Sequence, residues 1–190
     1  MLALTAMSSF SDAHETPDIP LIAADLNRLV WSAQKQIWAV LRRADSRQRL
    51  SYSLASTFLG RMCLSGDFLD LDETARRLVA EAIVFYREVA PIIRDGTFRC
   101  VREGNDSRQR PSGHQIVAVH DEAKGKLLVV WHRFEGAARE MKMTLPGAGR
   151  WAIARELNGV DATAVHCSGK NIRWLATPAW SGGVVYLKPA

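Results

Sequence analysis

Ser11-Asp12-Ala13-His14-Glu15 puts two carboxylates and an imidazole in one short stretch, directly after the apolar run Met1-Leu2-Ala3-Leu4-Thr5-Ala6-Met7. A carboxyl at the end of a buried strand suits proton transfer. An apolar surround or a nearby like charge raises its pKa, and the protonated form can then release a leaving group. Asp12 therefore reads as a catalytic carboxylate, and His14 and Glu15 as substrate-binding groups lining the same mouth. Asp67 is the other strand-end carboxylate in the first half of the chain. It reads as part of the loop before a helix, and in principle as a substitute partner for Asp12.

The remaining reactive side chains point to no metal or redox chemistry. Cys63, Cys100 and Cys167 are odd in number and widely spaced, without a Cys-x-x-Cys pair. They imply neither a disulfide framework nor a zinc site, and fit reduced thiols in a cytoplasmic protein. The five His are not spaced as a ligand cluster. His120 and His132 are placed to face each other across a hairpin, where two cross-strand His are structural. No metal and no cofactor is expected.

The elements that must position Asp12 follow from periodicity. Residues 1–11 read as a first strand, and Ile22 to Trp31 as a helix or irregular segment. Gln36-Ile37-Trp38-Ala39-Val40-Leu41 reads as a buried strand. Asp45 or Ser46 caps a helix running to about Leu59, stopped at Gly60. Arg61 to Ser65 is a third short apolar run. A long helix follows: Asp70 and Glu73 have capping-box spacing, and Leu78, Val79, Ala82, Ile83, Tyr86, Val89, Ala90 and Ile93 form one apolar face. Asp95-Gly96 ends it. The first half is thus strand–helix repeated three times, the grammar of a parallel α/β layer.

After Gly96 the grammar changes to short strands. Gln115 to His120 and Lys126 to Phe134 flank a hairpin turn, and Glu140 to Leu145, Trp151 to Leu157, Ala162 to His166, Ile172 to Leu175 and Gly183 to Leu187 follow. They imply an antiparallel sandwich of roughly seven strands, with a domain boundary near Asp95-Gly96. Arg94, Arg99, Arg102, Arg108 and Arg110 read as a solvated basic loop. The chain of 190 residues carries a net charge of +5. Its Arg residues are scattered and no nucleic-acid-binding motif accompanies them, so nucleic acid is not an expected partner. No apolar stretch is long enough to span a membrane, and no membrane partner is expected.

Three stretches carry a family resemblance: Ser11-Asp12-Ala13-His14-Glu15, then Ile37-Trp38-Ala39-Val40-Leu41-Arg42, then Tyr52 through Asp67. Together they resemble the last third of melibiase-type α-galactosidases, glycoside hydrolase clan D, over most of residues 8–135. The long stretch from Tyr52 through Asp67 is the specific one. The resemblance implies the last three strand–helix units of a (β/α)₈ TIM barrel over residues 1–95, incomplete because a barrel needs about 250 residues, and a C-terminal antiparallel β-sandwich over residues 96–190. In that family two Asp act with retention of configuration and without a metal or organic cofactor. Asp12 matches the acid/base in the Ser-Asp motif. The nucleophile motif, Lys-Trp-Asp or Lys-Tyr-Asp, is absent from this sequence.

The expectation is therefore a C-terminal fragment of a retaining glycoside hydrolase for terminal α-galactosides, inactive by itself. On that mapping Met1 begins inside a barrel, as a truncated or split gene would, and a separate chain carrying the first barrel strands is a possible complementing partner. An alternative is a carbohydrate-binding or docking sandwich module without catalysis. A line of solvent-facing Trp would favour it. Trp131, Trp151, Trp174 and Trp180 read instead as core, as does Trp38, and Arg28 and Trp31 read as packing residues rather than sugar contacts.

Overall fold

Along Lys35–Leu41 the side chains of Ile37, Ala39 and Leu41 are fully buried, while Gln36, Trp38 and Val40 between them are half-buried. That period of two is a strand with one covered face. The computed structural model, which describes residues 7–9, 17–104, 107, 110–160 and 165–190, makes this segment the centre of a parallel sheet. It is β2 (Lys35–Leu41), with β1 (Ser8–Ser9) on one side and β3 (Arg61–Gly66) on the other. The run expected to be buried is thus open on the face carrying Gln36, Trp38 and Val40, and Trp38 is not a core residue.

Helices link the strands as the sequence grammar requires. α1 (Ile19–Asp25) follows β1, α2 (Arg47–Thr57) joins β2 to β3, and α3 (Glu73–Asp95) follows β3. Ser46 caps α2, its Oγ accepting from the Arg49 amide at 3.2 Å. The cap of α3 is Asp72, whose Oδ1 accepts from the Ala75 amide at 2.7 Å, not Asp70. An Asx cap two residues later satisfies the same orphan amides, so spacing alone could not choose between them.

α2 is the central element, and an unusual one. Leu50 through Thr57 are all buried although five of the eight bear hydroxyls. Three of the Ser and Thr hydroxyls donate to backbone carbonyls: Ser51 Oγ to Gly182 O at 2.9 Å, Thr57 Oγ1 to Leu54 O at 2.6 Å and Ser56 Oγ to Tyr52 O at 3.2 Å, while Ser53 Oγ is buried without a partner among the described residues. Small residues let the helix lie close to both neighbouring layers. A Cβ on Gly159 would stand 2.6 Å from Arg47 O and 2.7 Å from Gln48 Cα.

The second half holds eight strands among the described residues. β4 (Thr97–Glu103), β5 (His114–Asp121), β6 (Lys126–Arg133), β11 (Ser181–Pro189) and β8 (Trp151–Asn158) form one sheet in the order β4-β5-β6-β11-β8. β7 (Glu140–Thr144), β10 (Asn171–Leu175) and β9 (Val165–Ser168) form another, in the order β7-β10-β9. All pairings in both sheets are antiparallel. β4 corrects the basic-loop reading for Arg99 and Arg102, which lie in this edge strand beside Phe98 and Val101, and edge strands tolerate charge; Arg94 lies in α3, Arg110 in a bend and Arg108 outside the described residues. The hairpin register pairs His120 with Leu127 and His132 with Gln115, so the two His do not meet.

Two cores order these layers. In the larger, Ile37, Ala39 and Leu41 of the parallel sheet, the buried faces of α2 and α3, and Val117, Val119, Leu128 and Val130 of the five-stranded sheet form one cluster. The smaller lies between the two antiparallel sheets, with Ile116, Val129 and Trp131 on one side and Met141, Ile172 and Trp174 on the other. The larger core runs across the expected boundary at Asp95-Gly96. Gly96 itself is demanded by close approach: a Cβ would meet Ile92 O at 2.6 Å and Val119 Cγ1 at 2.8 Å.

Candidate functional site

The three parallel strands share a direction, so their C-terminal ends form one edge, from which the following loops emerge. In layered α/β proteins this is where ligands bind. Asp12, His14 and Glu15 all lie outside the described residues. What the structure describes is the pair of residues that flank segment 10–16, Ser9 and Pro17. Upstream, the Trp38 indole N–H donates to Ser9 Oγ at 3.2 Å. Downstream, the Tyr52 hydroxyl donates to Pro17 O at 2.6 Å.

Tyr52 is fully buried, and burial pushes its hydroxyl well above the ordinary tyrosine range, so it is a fixed donor. It packs edge-on against His132, ring centroids 4.9 Å apart. His132 Nε2 lies 3.2 Å from both Tyr52 O and Ser56 Oγ. Complete burial holds this imidazole neutral, its pKa lowered to about 3. A Ser–His contact of this kind resembles a nucleophile and its base. Here both groups are sealed in the core and serve to fix the Tyr52 backbone. Tyr52 and Trp38 thus fix Pro17 and Ser9, the described residues on either side of the Asp12 segment, and the sequence alone revealed neither contact. The available signals were a lone Tyr within the Ser-rich run of α2 and the period-two exposure of β2.

The neighbouring loops are equally specified. Gly66 ends β3 with φ at +106°, and a Cβ there would stand 2.1 Å from Leu41 O. The turn lets the Asp67 amide donate to Leu41 O at 2.8 Å, and Asp67 Oδ2 accepts from the Arg43 amide at 3.2 Å. Asp45 Oδ2 accepts from the Arg42 amide at 2.9 Å. Asp67 therefore lies at the edge shared with Ser9 and Leu41, exposed, and tied to the β2 loop as the loop reading expected.

Below this edge, the open sheet face carries Ser9, Gln36, Trp38 and Cys63 in register, with Gln36 Nε2 lying 3.0 Å from Cys63 Sγ. Arg28 and Trp31 are elsewhere. They precede β2 and lie at the opposite end of the sheet, where Trp31 is 81% exposed. Neither packs as expected, and neither reaches the edge where Asp67 lies. Among the described residues no three His, Cys, Asp or Glu side chains gather as a metal site. No described helix is long and apolar enough to cross a membrane.

Parallel strand–helix units with their loops at one edge, backed by antiparallel sheets, define a mixed α/β architecture. No family model and no curated protein matches the chain. Solved structures do: the chain has the fold of the C-terminal region of glycoside hydrolase family 36 α-galactosidases. A Geobacillus stearothermophilus enzyme of that family, in complex with 1-deoxygalactonojirimycin, matches 95% of this chain with a TM-score of 0.72 at 14% sequence identity. A further form of that enzyme, in complex with raffinose, matches 94% with a TM-score of 0.68 at 16% identity. The α-galactosidase of Lactobacillus brevis matches 95% with a TM-score of 0.70 at 12% identity. The chain spans about a quarter of the length of each.

Proposed function

We propose that this chain is the C-terminal part of a retaining glycoside hydrolase acting on terminal α-galactosides. Residues 1–95 supply the last three strand–helix units of a (β/α)₈ barrel, and residues 96–190 a supporting β-sandwich. Asp12 protonates the departing glycosidic oxygen and then deprotonates water, while His14 and Glu15 contact the sugar. The attacking carboxylate comes from a barrel strand outside this sequence, in the same or a separate polypeptide. Retaining hydrolysis needs two carboxyl groups about 5–5.5 Å apart, so the chain alone is inactive.

The observation that carries this reading is the strand–helix order β1-α1-β2-α2-β3-α3 leading into two antiparallel sheets, matched over nearly the whole chain by α-galactosidases. The reading as a sugar-binding module with a Trp platform loses its main support. Trp131 and Trp174 are wholly buried and Trp151 is 6% exposed, while Trp180 is half-buried with its indole N–H on Glu135 Oε2 at 3.0 Å.

The test is hydrolysis of p-nitrophenyl α-galactopyranoside by the purified chain, with and without a co-expressed polypeptide carrying the first five strand–helix units. No turnover alone, and turnover with the partner that Asp12→Asn abolishes, is the expected result. Activity of the chain alone that disappears in Asp12→Asn would mean a second carboxylate within this sequence attacks the sugar, with Asp67 the residue to replace next. Turnover unaffected by Asp12→Asn would remove Asp12 from the mechanism.

A further inference from the structure

The sheet β7-β10-β9 has one face on the smaller core and one facing out. On the outward face the strand registers line up like residues. Lys142 is directly opposite Arg173, and Arg173 is directly opposite His166. All three side chains are exposed. Strands lie about 4.8 Å apart, so the row is about 10 Å long. Like charges directly opposite each other destabilise a sheet, yet among the described residues none of the three has an ion-pair or hydrogen-bond partner for its side chain. Two residues along, the next row is Thr144, Asn171 and Ser168, with the Thr144 hydroxyl 3.2 Å from Asn171 Oδ1. Arg99 of edge strand β4 adds a further cation from across a groove of about 550 Å³ that Lys142 and Arg173 also line. Glu140 is the one acidic residue lining that groove.

We propose that this face binds an acidic polysaccharide, its carboxylates on Lys142, Arg173 and Arg99 and its hydroxyls on Thr144, Asn171 and Ser168. The argument is charge complementarity. A row of anions relieves the repulsion that the cross-strand pairing builds in, and Arg presents a planar fork suited to a carboxylate. The adjoining row of hydroxyl and amide groups offers both donors and acceptors, which hydroxyl-rich chains satisfy. Single-stranded nucleic acid calls for aromatic stacking platforms, and the two rows contain none of Phe, Tyr or Trp. An anionic membrane calls for clusters of about four to eight Lys or Arg, more than this face presents. The binding works by charge and hydrogen bonding rather than by Trp stacking, so it is independent of the proposed hydrolysis and of Asp12.

The test is calorimetric titration of the full chain with oligogalacturonate, with neutral oligogalactose as control, at low and high salt. Saturable, salt-weakened binding of the uronate alone is expected. The double substitution Lys142→Glu and Arg173→Glu should weaken it at least about tenfold, and Arg99→Ala by about threefold, since exposed charge contacts are individually modest. Thermal melts of the variants should stay close to the parent's, because the double substitution exchanges one pair of opposed like charges for another and Arg99 is an exposed edge residue. Failure of oligogalacturonate to bind, or equal affinity in the double variant, would overturn the proposal. So would tighter binding, through the same residues, of a duplex DNA oligomer or of phosphatidylglycerol vesicles.

Discussion

At the scale of single residues the chain places charge where burial penalises it, and Lys35 is the clearest case. Its side chain is buried at the start of β2, with Nζ donating to Asn27 Oδ1 and to Ala23 O at 3.4 Å, and 5.1 Å from the Phe98 ring centre. Burial lowers its pKa from 10.5 to about 7. The unfolded chain therefore binds a proton that the folded chain has released between those values, and stability rises with pH across that window. The slope approaches 1.4 kcal/mol per pH unit for one proton. Urea denaturation at intervals from pH 7 to about 9.5, below the ordinary tyrosine range, should show the rise, and Lys35→Met should flatten it. An equal slope in the variant would assign the effect to another group. His132 works in the opposite window. Its pKa is depressed from 6.5 to about 3, so the stability of its neutral form is complete above about 6.5 and is lost as pH falls towards 3.

At the scale of elements the architecture depends on how closely α2 approaches its neighbours. Gly159, just past β8, lies against the first turn of α2, where a Cβ would meet Arg47 O, Gln48 Cα and Ser51 Cβ at 2.6 to 2.8 Å. Two of these are backbone atoms and cannot rotate away. Gly159→Ala should therefore cost about 2 kcal/mol as the layers separate. Gly149→Ala, with nothing within 4 Å of the added carbon, should stay within about 0.5 kcal/mol of the parent. Equal melts for the two variants would show that the α2 contact gives way freely. The elements themselves were largely legible in the sequence. The apolar stripe of α3 and the hairpin of β5 and β6 are local patterns, and local patterns survive into structure. β4 was not legible, because an edge strand with Arg on its exposed positions reads as a solvated loop. The roles of Trp38 and Tyr52 were not legible either. They depend on contacts with Ser9 and Pro17, 29 and 35 residues distant in sequence, and no periodicity encodes such a pairing.

At the scale of the whole molecule, the parallel sheet has only three strands among the described residues, and β1 and β3 are its two edges. β3 is half-buried along Met62 to Ser65. The face carrying Gln36, Trp38 and Val40 is half-open, and Leu29, Trp31 and Leu69 are 72%, 81% and 92% exposed. Unpaired strand edges beside exposed apolar surface are templates for association. The isolated chain should therefore self-associate as its concentration rises, read by sedimentation velocity. A polypeptide supplying the first barrel strands should suppress this and slow hydrogen exchange of the β3 amides, because each edge would gain a partner strand. Ser65→Lys offers a check that needs no partner. Ser65 is opposite Val40 on the open face, and a lysine there blunts the edge without entering the core that the helices cover. It should reduce self-association while leaving the melting temperature within about 2 °C. Association that persists unchanged in Ser65→Lys would place the contact elsewhere, with the exposed Leu29–Trp31 segment at the opposite end of the sheet the next surface to alter.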